Sequence, residues 1–147
     1  MLLPPDVEAA VQRDYDALNA IVRGDPGPKK LVFSHRDDVS LANPVSPAVR
    51  GWAAVEALLD RVIPQLSDGS PIEFERVSAF ASGDLAYVVQ YERWVGRAGA
   101  GSERGPLALR ATTIFRREED GWRIAHRQAD SVTEARTLES LAAPAKH

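Results

Sequence analysis

The chain contains no cysteine and only one methionine among 147 residues. A disulfide framework, a thiolate metal site and cysteine nucleophile chemistry are thereby excluded. No uninterrupted apolar run approaches the roughly 20 residues of a membrane span, so no membrane partner is expected. No basic excess exists either. Lys plus Arg number 18 against 21 Asp plus Glu, for a net charge of -3, which leaves no electrostatic footprint for nucleic acid. A glycine-rich phosphate loop is absent, because Gly96, Gly99, Gly101 and Gly105 stand between strand patterns rather than before a helix. No serine nucleophile elbow is seen. Met1-Leu2-Leu3-Pro4-Pro5-Asp6 lacks the basic and apolar regions of a signal peptide, so a cytoplasmic location is expected. What remains is ordinary globular composition, 44% hydrophobic and 27% charged, in a length suited to one domain.

Periodicity orders the chain. Pro4-Pro5-Asp6 can cap a helix carrying Val7, Val11, Leu18 and Ile21-Val22, which Gly24 to Pro28 stops. Lys30 to Phe33 reads as one or two helical turns, and residues 37–44 as a short strand ended by Pro44. A second helix is expected from Trp52 to Leu66, with an irregular last turn at Pro64. From residue 72 the period becomes two. Ile72 to Val77, Ala86 to Val95, Leu107 to Arg116 and Trp122 to Ala129 read as strands, the last pair joined tightly through Asp120-Gly121. Helices followed by an antiparallel meander form the α+β pattern, with helices packed on one face of a curved sheet. Such a cone closes around side chains or opens into a pocket. Residues 1–131 read as the domain and 132–147 as a polar tail with at most one helical turn.

The last strand carries the most chemistry. Strict alternation turns Trp122, Ile124, His126, Gln128 and Asp130 to one face and Arg123, Ala125, Arg127 and Ala129 to the other. The apolar pair at its start marks the first set as inward. His126, Gln128 and Asp130 would then form a polar wall, with His126 as donor, acceptor or base. Same-face neighbours are about 6.6 Å apart, so His126 and Asp130 cannot share a metal, and no metal is expected. The plainer alternative is a core histidine satisfied by a carbonyl or carboxylate. On strand 86–95 apolarity favours Tyr87, Val89, Tyr91 and Arg93 as the buried set. His35, among Ser34, Arg36, Asp37 and Asp38, suits a capping or surface role, and Trp52 a lid on the core or the rim of a pocket.

Four stretches resemble the nuclear transport factor 2-like superfamily, and within it the SnoaL-like group related to ketosteroid isomerase. They are Tyr15 to Asn19 before Gly24-Asp25, Ser34 to Val39 leading to Asn43-Pro44, Arg50-Gly51-Trp52, and Arg110 to Arg117 continuing to Gly121 to Arg127. The resemblance implies a cystatin-like cone that binds a small molecule without a cofactor and dimerises through its sheet. It also implies that Val88, Gln90, Glu92 and Trp94 face inward, which would make Glu92 the acid/base partner of His126 or Asp130; the bland alternative is a solvated glutamate on the rim. The family's base is an aspartate before a proline. Here that position is Asn43, and an amide accepts no proton at neutral pH, so steroid isomerisation is not expected. The family's oxyanion donors match Asp14, beside Tyr15, and Thr113. Catalytic candidates are therefore His126, Glu92 and Asp130. Ligand-binding candidates are Asp14, Tyr15, Asn43, Trp52, Gln90, Thr113 and Gln128, over a floor of Leu18, Val55 and Phe115. The implied function is binding, or metal-free isomerase, dehydratase or hydrolase chemistry, on a small apolar molecule. The alternative is a non-catalytic binding or oligomerisation module.

Overall fold

The structure is a computed structural model, and residues 2–142 of it are described. Helix α1 spans Pro5–Ile21 and α2 Gly27–Val32. Strands β1 (Ser40–Asn43) and β2 (Ser46–Arg50) precede α3 (Trp52–Val62). Strands β3 (Leu66–Ser67), β4 (Glu73–Ser82), β5 (Leu85–Ala98), β6 (Gly105–Glu118) and β7 (Gly121–Asp130) follow. Pro64 does end the regular helix, since Ile63–Gln65 is a 3-10 turn. The expected tail turn is the 3-10 segment Leu138–Leu141; residues 143–147 of the tail lie outside the described residues.

Local chemistry explains these elements. Pro5 sits in the first turn of α1, where its missing N–H costs nothing, and Asp6 and Glu8 complement the positive helix end. Val7, Ala10, Val11, Asp14, Ala17 and Leu18 fall on the buried side. Gly24 ends this region at φ 89°, and a Cβ there would lie 2.7 Å from the Leu66 carbonyl oxygen. Glycine is required twice over, by conformation and by space. Strand β2 is not among the expected strands, and it carries Pro47. An edge strand tolerates proline, and β2 is an edge.

The sheet runs β2-β1-β7-β6-β5-β3, with β4 also paired to β5. Strands β1 and β7 are parallel and the remaining pairs antiparallel. It is strongly curled, and the helices pack inside the curl, making an α+β cone. Val7, Val11, Phe33, Val55, Leu58, Phe115 and Ile124 form the centre of the core.

Two bulges set which side chains face that core. On β4 the register slips between Arg76 and Ser78, leaving Val77 as the extra residue. On β7, Phe115 opposes Ile124 while its neighbour Ile114 opposes His126, so Ala125 is extra. A bulge places two residues opposite one and inverts the alternation beyond it.

Candidate functional site

The inversion at Ala125 corrects the expected polar wall. Trp122 and Ile124 do face inward, but beyond the bulge the buried residues are Arg127 and Ala129. His126, Gln128 and Asp130 lie on the outer face, opposite Ile114, Thr112 and Arg110. Ser40 Oγ lies 2.7 Å from His126 Nδ1. Arg110 grips Asp130 through two bonds of 3.1 and 2.8 Å, and this holds the Asp130 carboxyl below its usual range. Glu92 therefore meets neither His126 nor Asp130.

On β5 the inward set is the one implied by the resemblance: Val88, Gln90, Glu92 and Trp94 are buried, while Tyr87 is exposed and Val89, Tyr91 and Arg93 are half-buried. Apolarity alone favours the reverse. Glu92 accepts two hydrogen bonds from Arg127, at 2.9 Å from Nη1 and 2.7 Å from Nη2. Gln90 donates to Glu92 at 2.8 Å and accepts the Tyr15 hydroxyl at 2.6 Å. Tyr15 stacks on Phe74 with ring centroids 3.8 Å apart. Asp14, on the buried face of α1, is ion-paired to Lys29 from α2.

Four charges thus meet under the helices: Asp14 and Glu92, Lys29 and Arg127. Burial pushes the Lys29 amine down, opposed by the Asp14 carboxylate. Burial acts to raise Glu92, but the Arg127 charge and hydrogen bonds outweigh it and hold the carboxyl below its usual range. Burial raises the Tyr15 phenol. Ions in a dry interior persist only when paired and hydrogen-bonded, and these are.

Beside this quartet lies a cavity of about 310 Å³. Leu18, Val22, Phe33, Leu41, Leu59, Ile63, Trp94, Leu107 and Ala129 supply much of its apolar wall, and Lys29, Glu92 and Arg127 supply its charged groups. Its exposed lining residues are Pro44 and Val45 in the β1–β2 turn, Ala98 at the end of β5 and Ser131 after β7. Such a volume and such walls suit a small organic molecule.

The expected ligand-binding residues divide. Asn43 lines the cavity, with its Oδ1 accepting from the Val45 N–H and the Ser46 hydroxyl, both at 3.0 Å. Asp14, Tyr15 and Gln90 stand behind the lining as partners of the charged groups. Thr113 is buried in β6 between Val88 and Arg127. Trp52 packs on the core rim and stacks on the exposed His35 at 3.8 Å. Of the expected floor, Leu18 lines the cavity, while Val55 and Phe115 belong to the core and not to its lining.

Sequence reasoning missed Lys29 and Arg127. Unbroken alternation turns Arg127 to the outer face, and no motif in the sequence singles out Lys29. The available signal was Glu92 itself: an inward carboxylate needs a cation, and Arg127 lies on the same half of the sheet. Among the described residues, no three His, Asp or Glu side chains converge as a metal-ligating group. No helix among them is long and apolar enough to cross a membrane.

Comparison with known proteins agrees with this architecture. A structure from Thiobacillus denitrificans, described as a calcium/calmodulin-dependent protein kinase type II association domain, is 25% identical with a TM-score of 0.71. It is similar over 90% of this chain and 100% of its own. A ketosteroid isomerase-like protein from Erwinia carotovora atroseptica is 20% identical, with a TM-score of 0.71 over 88% of this chain and 95% of its own. A Streptomyces avermitilis protein described as a dehydratase of the NTF2-like family is 22% identical, with a TM-score of 0.67 over 88% and 95%. No curated protein matches in sequence. The model of the SnoaL-like domain matches residues 7–133. With that match over most of its length, and with the curled sheet and packed helices of its structural relatives, the chain belongs to the SnoaL-like family of the nuclear transport factor 2-like superfamily.

Proposed function

We propose that this domain binds a small apolar organic molecule in the cavity beneath α1, α2 and α3. The observation that carries the reading is an apolar chamber of about 310 Å³ whose charged groups are already paired with one another. Binding is favoured over turnover for the same reason. Among the described residues, the titratable side chains lining the cavity are Lys29, Glu92 and Arg127, each held in an ion pair. A general base works best with a pKa near the working pH, and Arg127 holds the Glu92 carboxyl below its usual range. The test fills the chamber: Ala129→Phe should abolish ligand-induced thermal shifts with small hydrophobic ketones. His126→Ala and Gln128→Leu, on the outer face, should bind as the native protein does. Equal binding by Ala129→Phe would place the ligand elsewhere.

The second part of the reading is assembly as a symmetric homodimer through the outer face of the sheet. Tyr87, Val89, Tyr91, Arg110, Thr112 and Ile114 share that face, and exposed Phe80 and Leu85 extend it. A patch of this character is seldom left wet. Light scattering should give twice the chain mass at micromolar concentration, and a monomer there would overturn the assembly.

A further inference from the structure

We infer that the cavity selects uncharged molecules bearing a hydrogen-bond acceptor (a ketone, ester or lactone carbonyl) and rejects carboxylates. This rests on the reading of the chamber as a ligand site and adds the chemical class of its occupant.

The first ground is charge. The quartet under the helices holds two cations and two anions: Lys29 and Arg127, Asp14 and Glu92. They come from α2, β7, α1 and β5 and form one neutral cluster, while α3, β1 and β6 line the cavity with groups such as Leu59, Leu41 and Leu107 and add no further charge. An anionic ligand would bring a buried charge with no counter-charge, which desolvation opposes. A lone arginine in an apolar chamber would read as a carboxylate receptor, but an arginine already held by a bidentate glutamate does not.

The second ground is the hydrogen-bond inventory. A guanidinium carries five N–H donors. Arg127 directs one from each terminal nitrogen to Glu92, and the others meet no acceptor among the described residues. The Trp94 indole N–H, in the same lining, is also buried without an acceptor. The acceptors are by contrast engaged: Glu92 Oε1 takes Arg127, and Oε2 takes both Arg127 and Gln90. The site is therefore rich in donors and poor in acceptors. Arg127 is also the charged side chain with room to act, 7% exposed against 1% for Lys29 and Glu92 and 2% for Asp14. A ligand carbonyl oxygen fits this surplus without adding charge.

The experiment compares three probes on one bicyclic frame by calorimetry and thermal shift: decalone, decalin carboxylate and the hydrocarbon decalin. At neutral pH decalone should bind about tenfold or more tightly than either of the others. The acid should bind only in its protonated form, so its apparent affinity should rise about tenfold for each pH unit of acidification until its own pKa is reached. Decalone should show no such dependence over the same range. Glu92→Gln keeps the shape and leaves Arg127 without its counter-charge, so it should reverse the order in favour of the carboxylate. If that variant does not fold, the pH dependence of the acid with native protein decides alone. Carboxylate binding as tight as the ketone at neutral pH, or flat with pH, overturns the selectivity. Equal binding of all three probes overturns the selectivity but leaves the chamber as a ligand site. Binding of none overturns both.

Discussion

The two faces of the curled sheet handle polar groups in opposite ways. Around the chamber on the inner side, ions are few, buried and matched one to one: Lys29 with Asp14, Arg127 with Glu92. On the outer face, ion pairs such as Arg110–Asp130 and Arg93–Glu75 lie in or near water, among aromatic and β-branched groups that remain partly exposed. The outer pairs can lose a partner to solvent. The inner pairs have nowhere to turn, so each ion there fixes the position of its mate and, through it, of a helix or strand. Similar bonds in the two places therefore carry different energies.

The largest expected effect comes from breaking an inner pair. Arg127→Met leaves Glu92 buried without its cation and should cost about 3–5 kcal/mol in urea or thermal unfolding. Replacing both partners, as in Arg127→Met with Glu92→Leu, should recover most of that loss, because two apolar side chains of similar volume need no solvation. A double variant as unstable as the single one would mean that the pair contributes shape or network contacts beyond charge compensation.

How far such a site can be read from sequence follows from the same contrast. The helices and long strands were legible because burial writes a period into them: Val7, Val11 and Leu18 along α1, alternation along β4 to β7. The bulge at Ala125 was not, because no glycine or proline marks it and an alanine fits either face. One unmarked residue was enough to exchange His126, Gln128 and Asp130 for Arg127. Lys29 was hidden differently. Its burial depends on α2 closing over Asp14, a contact between elements that no local pattern records. Asp14 and Gln90 were singled out through family resemblance, and the structure places them behind the cavity as supports for its lining. The short strands β2 and β3 were missed because two to five residues at an edge leave too little pattern to distinguish from turns.

An intermediate effect should appear on acidification. Arg127 holds the folded-state pKa of Glu92 below the ordinary glutamate value of 4.5. Its contribution is thus present above that value and is lost as pH falls through the lower folded-state pKa. The melting temperature should drop across that acid window, and less steeply in the Arg127→Met, Glu92→Leu double variant. Outer carboxylates such as Asp38 and Asp130 are also held low by their arginines, but salt screens them. Raising the salt concentration should remove their share of the slope and leave that of Glu92. An acid slope abolished by salt would show that the outer face governs it.

The smallest effect should come from the outer counterpart of the first experiment. Arg110 and Asp130 form a bidentate pair with geometry as good as that of Arg127 and Glu92, 3.1 and 2.8 Å against 2.9 and 2.7 Å. Their side chains are 47% and 29% exposed, however, against 7% and 1%. Water can replace either partner, so a double-mutant cycle of Arg110→Met and Asp130→Asn should return a coupling of about 0.2–1 kcal/mol. Protein concentration sharpens the comparison. If the outer face is the dimer surface, the pair loses water on assembly, and its coupling should grow between dilute and concentrated samples while that of the inner pair stays fixed. A coupling as large as the inner one at a concentration where the protein is monomeric would mean that exposure does not separate the two faces, and that geometry alone sets what an ion pair contributes here.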